Sequence, residues 1–348
     1  MGRFQNKWEQ LKFAVYCFRQ AKDGRFVKRV KALEEDNLVE IESYGDKNSG
    51  EPVYFIDMEE SHSGFFAEHN KLLALLYFAD KYRLRPVVRF HPGYCYGEKH
   101  PVNGTDNPFE YYFEQPGGIS LEELWKYNHV LKSRKENSKL AVSLNKESGG
   151  YARSELFLNA MGRITAKYIR LNQTVDAILR KDMKEIGICA EAGSGRILAV
   201  HVRGTDFKQH YNGHPVQVSI EEYCQAAAKL FYDKHYEKVF LATDDLDAVE
   251  RFQKEFGSRL LFYRDVVRSK GNDTVMHSLS ERENHHYLLG VEVLRDVYSM
   301  AQCDGLVAGL SQVSYAARIQ KKSVGEEYGD LVILDKGINY HQKENCPN

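Results

Sequence analysis

A chain of 348 residues, 43% hydrophobic and 28% charged, has the composition of a globular protein and is long enough for two domains. Its net charge of -1 argues against a nucleic-acid coat protein, which needs a broad positive field. No run approaches the ~20 apolar residues of a membrane-spanning helix, and the amino terminus lacks the pattern of a secretory signal.

Positive charge is concentrated at the amino terminus, where residues 1–31 hold nine Lys and Arg against two acidic residues. In this segment Trp8, Leu11, Val15 and Phe18 have the spacing of one helix face. Such a helix either lies on an anionic membrane surface or packs on the protein body with its charges in water. Both interpretations are open from the sequence.

The first predicted elements are those of a parallel α/β sheet. "PVYFIDM" predicts a strand over 52–58, "KLLALLYFADKYRL" a helix over 71–84 and "RPVVRF" a strand over 85–90. The segment 91–150 is then poor in regular patterns, and 91–120 predicts a long surface loop. Its many aromatic residues would line a sugar or acceptor cleft, or would simply form folded surface.

A long helical region is predicted over 154–186, and "EAGSG" at 191–195 then breaks the chain. We therefore expect domains at 1–190 and 191–348. Beyond the break, apolar runs alternate regularly with amphipathic ones, which predicts a doubly wound sheet. The predicted strands are 196–202, 238–244, 259–264, 305–311 and 330–335, and the predicted helices are 219–235, 246–256, 286–302 and 312–321.

Three of these strands end in polar residues, and such sheets bind ligands beyond the carboxyl ends of their strands. An arginine together with a helix amino terminus is a common way to hold phosphate. Alternatively, these residues only cap the helices that follow. The residues are His201, Arg203, Thr205 and Asp206 after the first strand, Thr243, Asp244 and Asp245 after the second, and Ser311 and Gln312 after the fourth.

Other site types are disfavoured. There is no phosphate-binding G-x-x-x-x-G-K-[ST] loop and no G-x-G-x-x-G after the first strand. The carboxylates of Asp244 and Asp245 could bind Mg²⁺, but adjacent aspartates on a turn point in different directions, so helix capping is the favoured use. Six scattered cysteines without a Cys-x-x-Cys pair predict free thiols, which favours a cytoplasmic protein.

Three motifs in order, "HVRGTD…HP…IEEY", "VFLATDD" and "DVYSMAQCDGLVAGLSQVSYAARI", resemble those of the α1,6-fucosyltransferases. That family includes the core-fucosylating enzymes and the rhizobial nodulation-factor enzymes. The resemblance covers about 165–320 well and is thinner at "SGFFAEHNKLLALLYFADKYRLRPVV" (63–88). It implies a GT-B fold, with two Rossmann-like domains facing across a cleft.

The resemblance also implies an inverting transfer of fucose from GDP-fucose to a sugar hydroxyl of a glycan or glycolipid, with no metal or other cofactor. Arg203 falls on the arginine that holds the β-phosphate, and His201 and Asp296 on residues at the guanine end. Ser311 and Gln312 fall on the diphosphate motif, and Asp244 and Asp245 on the paired aspartates. The loop residues Gly64, Glu68 and His69 would approach donor and acceptor, with His214 near the same site.

The chain departs from the family pattern in two places. Gly204 stands where the core-fucosylating enzymes have a second arginine, and their general base has no clear match. Asp206, His210 or His214 could accept the proton of the attacking hydroxyl, with Asp206 first because it lies in the matched motif.

Three functions therefore stay open. The first is a fucosyltransferase of surface polysaccharide or glycolipid biosynthesis, in the cytoplasm or peripheral at the inner face of a membrane. The second is a transferase of another nucleotide sugar, and the third is a non-catalytic module that binds one.

Overall fold

The computed structural model describes residues 38–145, 153–188, 195–204, 212–270 and 280–340, together with 7, 8, 11, 12, 15, 18 and 19. It divides into two compact units. One is Met1–Lys146 with Arg163–Val175, and the other is Glu147–Gly162 with Asp176–Asn348. The division expected at 190/191 assigns 147–162 and 176–190 to the first domain, whereas their contacts group them with the second.

The first unit is built on a short, mostly parallel sheet of order β1-β6-β3-β4, in which only the edge strand β1 is antiparallel. β2 and β5 form a separate parallel pair. Its strands are β1 (Glu40–Glu42), β2 (Lys47–Asn48), β3 (Val53–Met58), β4 (Arg85–Phe90), β5 (Tyr127–Asn128) and β6 (Val130–Lys132), and its helices are α1 (Phe65–Tyr82), α2 (Leu121–Leu124) and α3 (Lys139–Val142).

The burial of β3 shows that this sheet is covered on both faces. Its first four residues, Val53–Ile56, are at most 1% exposed, which is the pattern of a strand inside a parallel sheet. The segment after β4 is buried too: none of its aromatic residues Tyr94, Tyr96, Phe109, Tyr111, Tyr112 and Phe113 is more than 6% exposed. The alternative that these rings line an open cleft is therefore wrong, because all six are buried, and Tyr94, Tyr96, Tyr112 and Phe113 pack around Phe65.

Helices α4 (Glu155–Tyr168) and α5 (Gln173–Ile186) replace the single helical region predicted over 154–186. The break falls at 169–172, where Asn172 leaves helical hydrogen bonding. Its side chain donates to the carbonyl of Tyr111 (2.9 Å) and accepts from the backbone N–H of Val175 (2.9 Å). A side chain that accepts from the N–H three residues later is an N-cap, so a new helix starts after Asn172.

The second unit confirms the doubly wound prediction. Its five strands are all parallel, in the order β11-β10-β7-β8-β9. The strands are β7 (Ile197–Val202), β8 (Lys238–Thr243), β9 (Leu260–Leu261), β10 (Gly305–Gly309) and β11 (Asp330–Leu334), and the helices are α6 (Ile220–Asp233), α7 (Leu246–Phe256), α8 (His285–Gln302) and α9 (Gln312–Ser323).

The order of this sheet fixes where a ligand is expected. The chain runs outward from β7 through β8 to β9 and then crosses back to place β10 on the other side of β7. The strand order therefore reverses between β7 and β10, and a crevice at such a reversal is where open α/β sheets bind ligands. Among the helices that the structure describes, none is long and apolar enough to cross a membrane.

Candidate functional site

The three polar strand ends lie at one edge of the second sheet. In the register of the parallel sheet, His201 of β7 lies opposite Ala308 of β10 on one side and Ala242 of β8 on the other. The residues that follow these strands, Arg203 and Ser311 among them, therefore leave the sheet side by side. His201 itself is 5% exposed, on the sheet face opposite Val200 and Val202.

Asp244 contacts the two residues that follow β7. One of its carboxylate oxygens accepts from the backbone N–H of Gly204 (3.2 Å), and the other lies 3.8 Å from a guanidinium nitrogen of Arg203. The two side chains are only 22% and 20% exposed, so this ion pair is partly shielded from water. Asp244 thus orients both the arginine and the first residue of the loop that carries the motif.

Asp245, not Asp244, is the helix cap. It is fully buried, and its side chain accepts from the backbone N–H of Asp247 at the start of α7 (2.9 Å). It also explains Gly204, because a Cβ at that position would lie 2.5 Å from the Cβ of Asp245. While Asp245 occupies this place, position 204 has no room for the arginine of the core-fucosylating enzymes.

Tyr223 links the ends of β7 and β10, which border the crevice. It lies in the first turn of α6, is 2% exposed, and its hydroxyl is hydrogen-bonded with the backbone of Arg203 and of Gly309. Burial raises the pKa of this phenol well above its usual value. The tyrosine belongs to the quoted "IEEY", but no role was predicted for it.

The amino terminus of α9 forms the other side of the crevice. The Ser311 hydroxyl accepts from the backbone N–H of Val313 (3.2 Å), so Ser311 is the cap of α9. The buried Ser314 hydroxyl bonds back to the carbonyls of Gly309 (2.8 Å) and Ser311 (2.9 Å). A hydroxyl that accepts at a cap can still donate its own proton to an anion. Gln312, the first residue of α9, is half-buried.

Asp296 of α8 is a half-buried carboxyl at the same edge. Its pKa is raised to about 7 in all: burial is the largest cause, and the nearby carboxylates of Glu292 and Asp244 also raise it. Arg268 and Arg295 act in the opposite direction by stabilising the charged form. Asp296 is thus a carboxyl that gains its charge near neutral pH.

The sequence did not indicate the arginines around Asp296. Arg268 donates to the carbonyl of Thr243 (3.1 Å) at the end of β8. Arg295 is 4% exposed, lies 3.9 Å above the ring of Tyr263, and forms a two-bond ion pair with Asp265 (2.7 and 3.0 Å). A signal was available, since Arg295 directly precedes Asp296, the first residue of the third motif.

The predicted acceptor loop is well packed inside the first unit. Gly64 is the N-cap of α1, and its carbonyl accepts from Ala67 (2.9 Å). Glu68 is 3% exposed and accepts from Ser61 (2.6 Å) and Lys71 (2.7 Å).

His69 is 7% exposed among Phe65, Phe66 and Phe113, and burial lowers its pKa to about 4. The imidazole is therefore neutral at physiological pH. A role of Gly64, Glu68 and His69 toward the acceptor stays a prediction.

Two of the three candidate bases, Asp206 and His210, lie outside the described residues. The third, His214, is half-buried, and its carbonyl accepts from the backbone N–H of Asn339 (2.8 Å). The neighbouring Pro215 pairs with Ile338, so the "GHP" turn is held against the last described residues. Within the described part of the chain, no three His, Cys, Asp or Glu residues group as metal ligands.

No protein-family model matches the chain, and no curated protein matches it. Among solved structures, it is similar to NodZ alpha-1,6-fucosyltransferase soaked with GDP-fucose (18% identity, 77% of this chain and 92% of that one, TM-score 0.46). It is also similar to fucosyltransferase NodZ from Bradyrhizobium (17%, 78% and 92%, 0.46) and to apo POFUT1 (10%, 81% and 97%, 0.46).

Proposed function

We propose that this protein is a glycosyltransferase that moves fucose from GDP-fucose to a sugar hydroxyl of a glycan or glycolipid. One observation carries the proposal: the exits of β7 and β10, which border the reversal of strand order, bring Arg203 and the capped start of α9 to one sheet edge. An arginine and a helix amino terminus on two sides of a crevice suit a diphosphate. The motifs that resemble the α1,6-fucosyltransferases contain both of them.

In the proposed donor complex, Arg203 donates to the β-phosphate, and Ser311, Gln312 and the positive end of the α9 dipole complete the diphosphate site. Asp296 accepts from the N1–H and the 2-amino group of guanine, a pair of donors that uracil lacks. His201 lies toward the same end of the nucleotide. The half-buried setting of Asp296 supports this role, because a partly desolvated carboxylate gains most from paired donors.

The proposed reaction is a single displacement. The acceptor hydroxyl oxygen forms a bond to the anomeric carbon of fucose while the bond from that carbon to the β-phosphate oxygen breaks. GDP leaves with the electron pair, the hydroxyl proton passes to Asp206, His210 or His214, and the anomeric configuration inverts. Arg203 and the α9 amino terminus neutralise the leaving diphosphate, so we propose that no metal is required.

The test is donor binding and turnover with EDTA present. GDP and GDP-fucose are expected to raise the melting temperature while UDP and UDP-sugars do not, and GDP release is expected with GDP-fucose and a sugar acceptor. Arg203→Ala should weaken the donor roughly 10- to 100-fold, the value of a hydrogen bond between charged groups at about 1.5–3 kcal/mol. The matched control is Arg180→Ala, at a side chain that is 76% exposed in the second unit. This variant should change neither the donor affinity nor the release of GDP.

The outcomes separate the functions that the sequence left open. Stabilisation by GDP with turnover of GDP-mannose instead of GDP-fucose would identify a transferase of another nucleotide sugar. Stabilisation by GDP without any turnover, across a range of acceptors, would identify a binding module. Indifference to every nucleotide, or full activity of Arg203→Ala, would overturn the proposal.

A further inference from the structure

Four large apolar side chains near the amino terminus are exposed on one helix face. Every residue that the structure describes between 7 and 19 is helical. The exposed fractions are 58% for Trp8, 52% for Leu11, 42% for Val15 and 77% for Phe18. Of the two interpretations of this helix, packing on the protein body would bury these side chains, so the structure disfavours it.

We name these four residues the N-terminal stripe. On a helix of 3.6 residues per turn they fall within about 80° of arc and along about 15 Å of axis. Lys7 lies just beyond one edge of the arc, and Lys12 and Arg19 lie just beyond the other, all within about 40° of it. All three cations are exposed. An apolar band with cations along both edges is the arrangement of helices that lie in the plane of a membrane surface.

The charge of the chain is separated in the same sense. Nine Lys and Arg against two acidic residues give residues 1–31 a net charge of +7. Because the whole chain carries -1, residues 32–348 carry -8. The body of the protein is therefore repelled by an anionic surface, and only the amino terminus is attracted to one.

We propose that the N-terminal stripe docks on an anionic lipid surface. The side chains of the stripe enter the boundary between headgroups and acyl chains, where Trp and Phe are favoured. Lys7, Lys12 and Arg19 keep their stems along the apolar boundary and their charges at the lipid headgroups. Anionic lipid is the occupant that fits, because an apolar protein partner offers no negative charge to the cations along both edges of the stripe.

The test is co-sedimentation of the full chain with vesicles. We expect binding to vesicles of one part phosphatidylglycerol to two parts phosphatidylcholine, no binding to pure phosphatidylcholine, and release by high salt. Removing all three cations (Lys7→Gln, Lys12→Gln and Arg19→Gln) should weaken binding roughly 100-fold, at about fivefold per cation. Trp8→Ser with Phe18→Ser should weaken it at least about tenfold.

Matched controls carry the same exchanges elsewhere on the surface. Lys181→Gln with Lys229→Gln and Lys254→Gln removes three exposed cations of the body, and Tyr232→Ser with Val324→Ser removes two side chains that are 50% and 61% exposed. Both controls should bind vesicles like the parent chain. Because the substituted positions are exposed, unchanged circular dichroism and melting temperature are expected in every variant.

Three results would overturn the proposal. The first is failure of the parent chain to bind anionic vesicles, and the second is equal loss of binding in the body controls. The third is self-association in sedimentation velocity that Trp8→Ser with Phe18→Ser abolishes while vesicle binding persists, which would assign the stripe to a second copy of the chain. None of these results depends on GDP binding, so the donor assays stand or fail separately.

Discussion

Asp296 should make the affinity for GDP-fucose depend on pH. Its pKa is raised to about 7 by burial, so much of the free protein carries a neutral carboxyl at neutral pH. The proposed contact with guanine needs two acceptor oxygens and hence the ionised form. Binding then releases a proton from the Asp296 carboxyl, and a reaction that releases a proton becomes more favourable as pH rises.

The size of the effect follows from the pKa. With a pKa of about 7, the ionised fraction of Asp296 rises from about 3% at pH 5.5 to about 90% at pH 8. The apparent dissociation constant for GDP-fucose should therefore fall roughly 30-fold across this range, with most of the change below pH 7. Above about pH 8 the affinity should level off.

The ligand-free protein should show the opposite trend at this residue. The folded-state pKa of Asp296 lies above the ordinary carboxyl value, so its contribution to folding stability is present at low pH and is lost as pH rises through about 7. Asparagine does not ionise, so Asp296→Asn should not lose folding stability as the pH rises. The variant should therefore melt at a higher temperature than the parent chain at pH 8, although it binds the donor more weakly.

Isothermal titration calorimetry with GDP-fucose measures the prediction directly. The donor is preferable to GDP because its diphosphate is a diester, whereas the terminal phosphate of GDP titrates near pH 6. Asp296→Asn should flatten the pH profile, and Asp233→Asn, at an exposed position, should preserve it. A flat profile in the parent chain, or an unchanged slope in Asp296→Asn, would refute the reasoning.

Two further predictions test the residues that shape the crevice. Gly204→Ala should lower the free energy of unfolding by about 2–4 kcal/mol in urea denaturation, because its Cβ displaces the buried cap Asp245. Gly329→Ala, where a Cβ would lie 3.6 Å from its nearest neighbour, should be close to neutral, and equal effects would contradict the steric argument. Tyr223→Phe should cost about 1–3 kcal/mol by leaving backbone groups unpaired and should also weaken GDP binding in the thermal-shift assay. The exposed Tyr232→Phe is its control, and an unaltered Tyr223→Phe protein would show that the hydroxyl ties nothing together.

The alternation of apolar and amphipathic runs was enough to predict the second sheet, with one informative failure. The run "RLLFYR" predicted a strand over 259–264, but β9 ends at Leu261. Beyond it the Tyr263 ring packs beneath Arg295, and its hydroxyl bonds to Ser299 of α8 (2.8 Å). Tyr263 thus contacts side chains of α8 instead of continuing the strand. An apolar sequence pattern does not reveal such tertiary contacts.

Helix α1 shows the same limit in the first unit. The sequence predicted its start at residue 71, because "EESHSGFFAEHN" (59–70) has the composition of a polar, Gly-containing loop. The helix in fact begins at Phe65, and Glu68 and His69 are buried within it. Ser61 and Lys71 satisfy the Glu68 carboxylate, and aromatic rings surround the neutral His69. Burial of polar groups depends on partners from other segments, which composition alone does not reveal.

The sequence predicted part of the candidate site and not the rest. That Arg203, Asp244 and Ser311 leave one sheet edge followed from strand alternation, since parallel strands end on the same side. The different roles of Asp244 and Asp245 did not follow from the sequence. Which of them caps α7 and which faces Arg203 depends on how the chain turns after Thr243, where the backbone N–H of Asp245 donates to the Thr243 hydroxyl (3.1 Å).

The backbone at this sheet edge is fixed by bonds from other elements, and this bears on the proposed transfer without a metal. Asp244 fixes the backbone at Gly204, and Tyr223 fixes the backbone at Arg203 and at Gly309. Donors that are already fixed before the ligand arrives lose little freedom when charge develops on a leaving diphosphate. A fixed arginine beside a helix amino terminus can therefore stabilise the leaving group electrostatically. The stability of this edge and the strength of the donor site should accordingly fall together when either anchor, Asp244 or Tyr223, is removed.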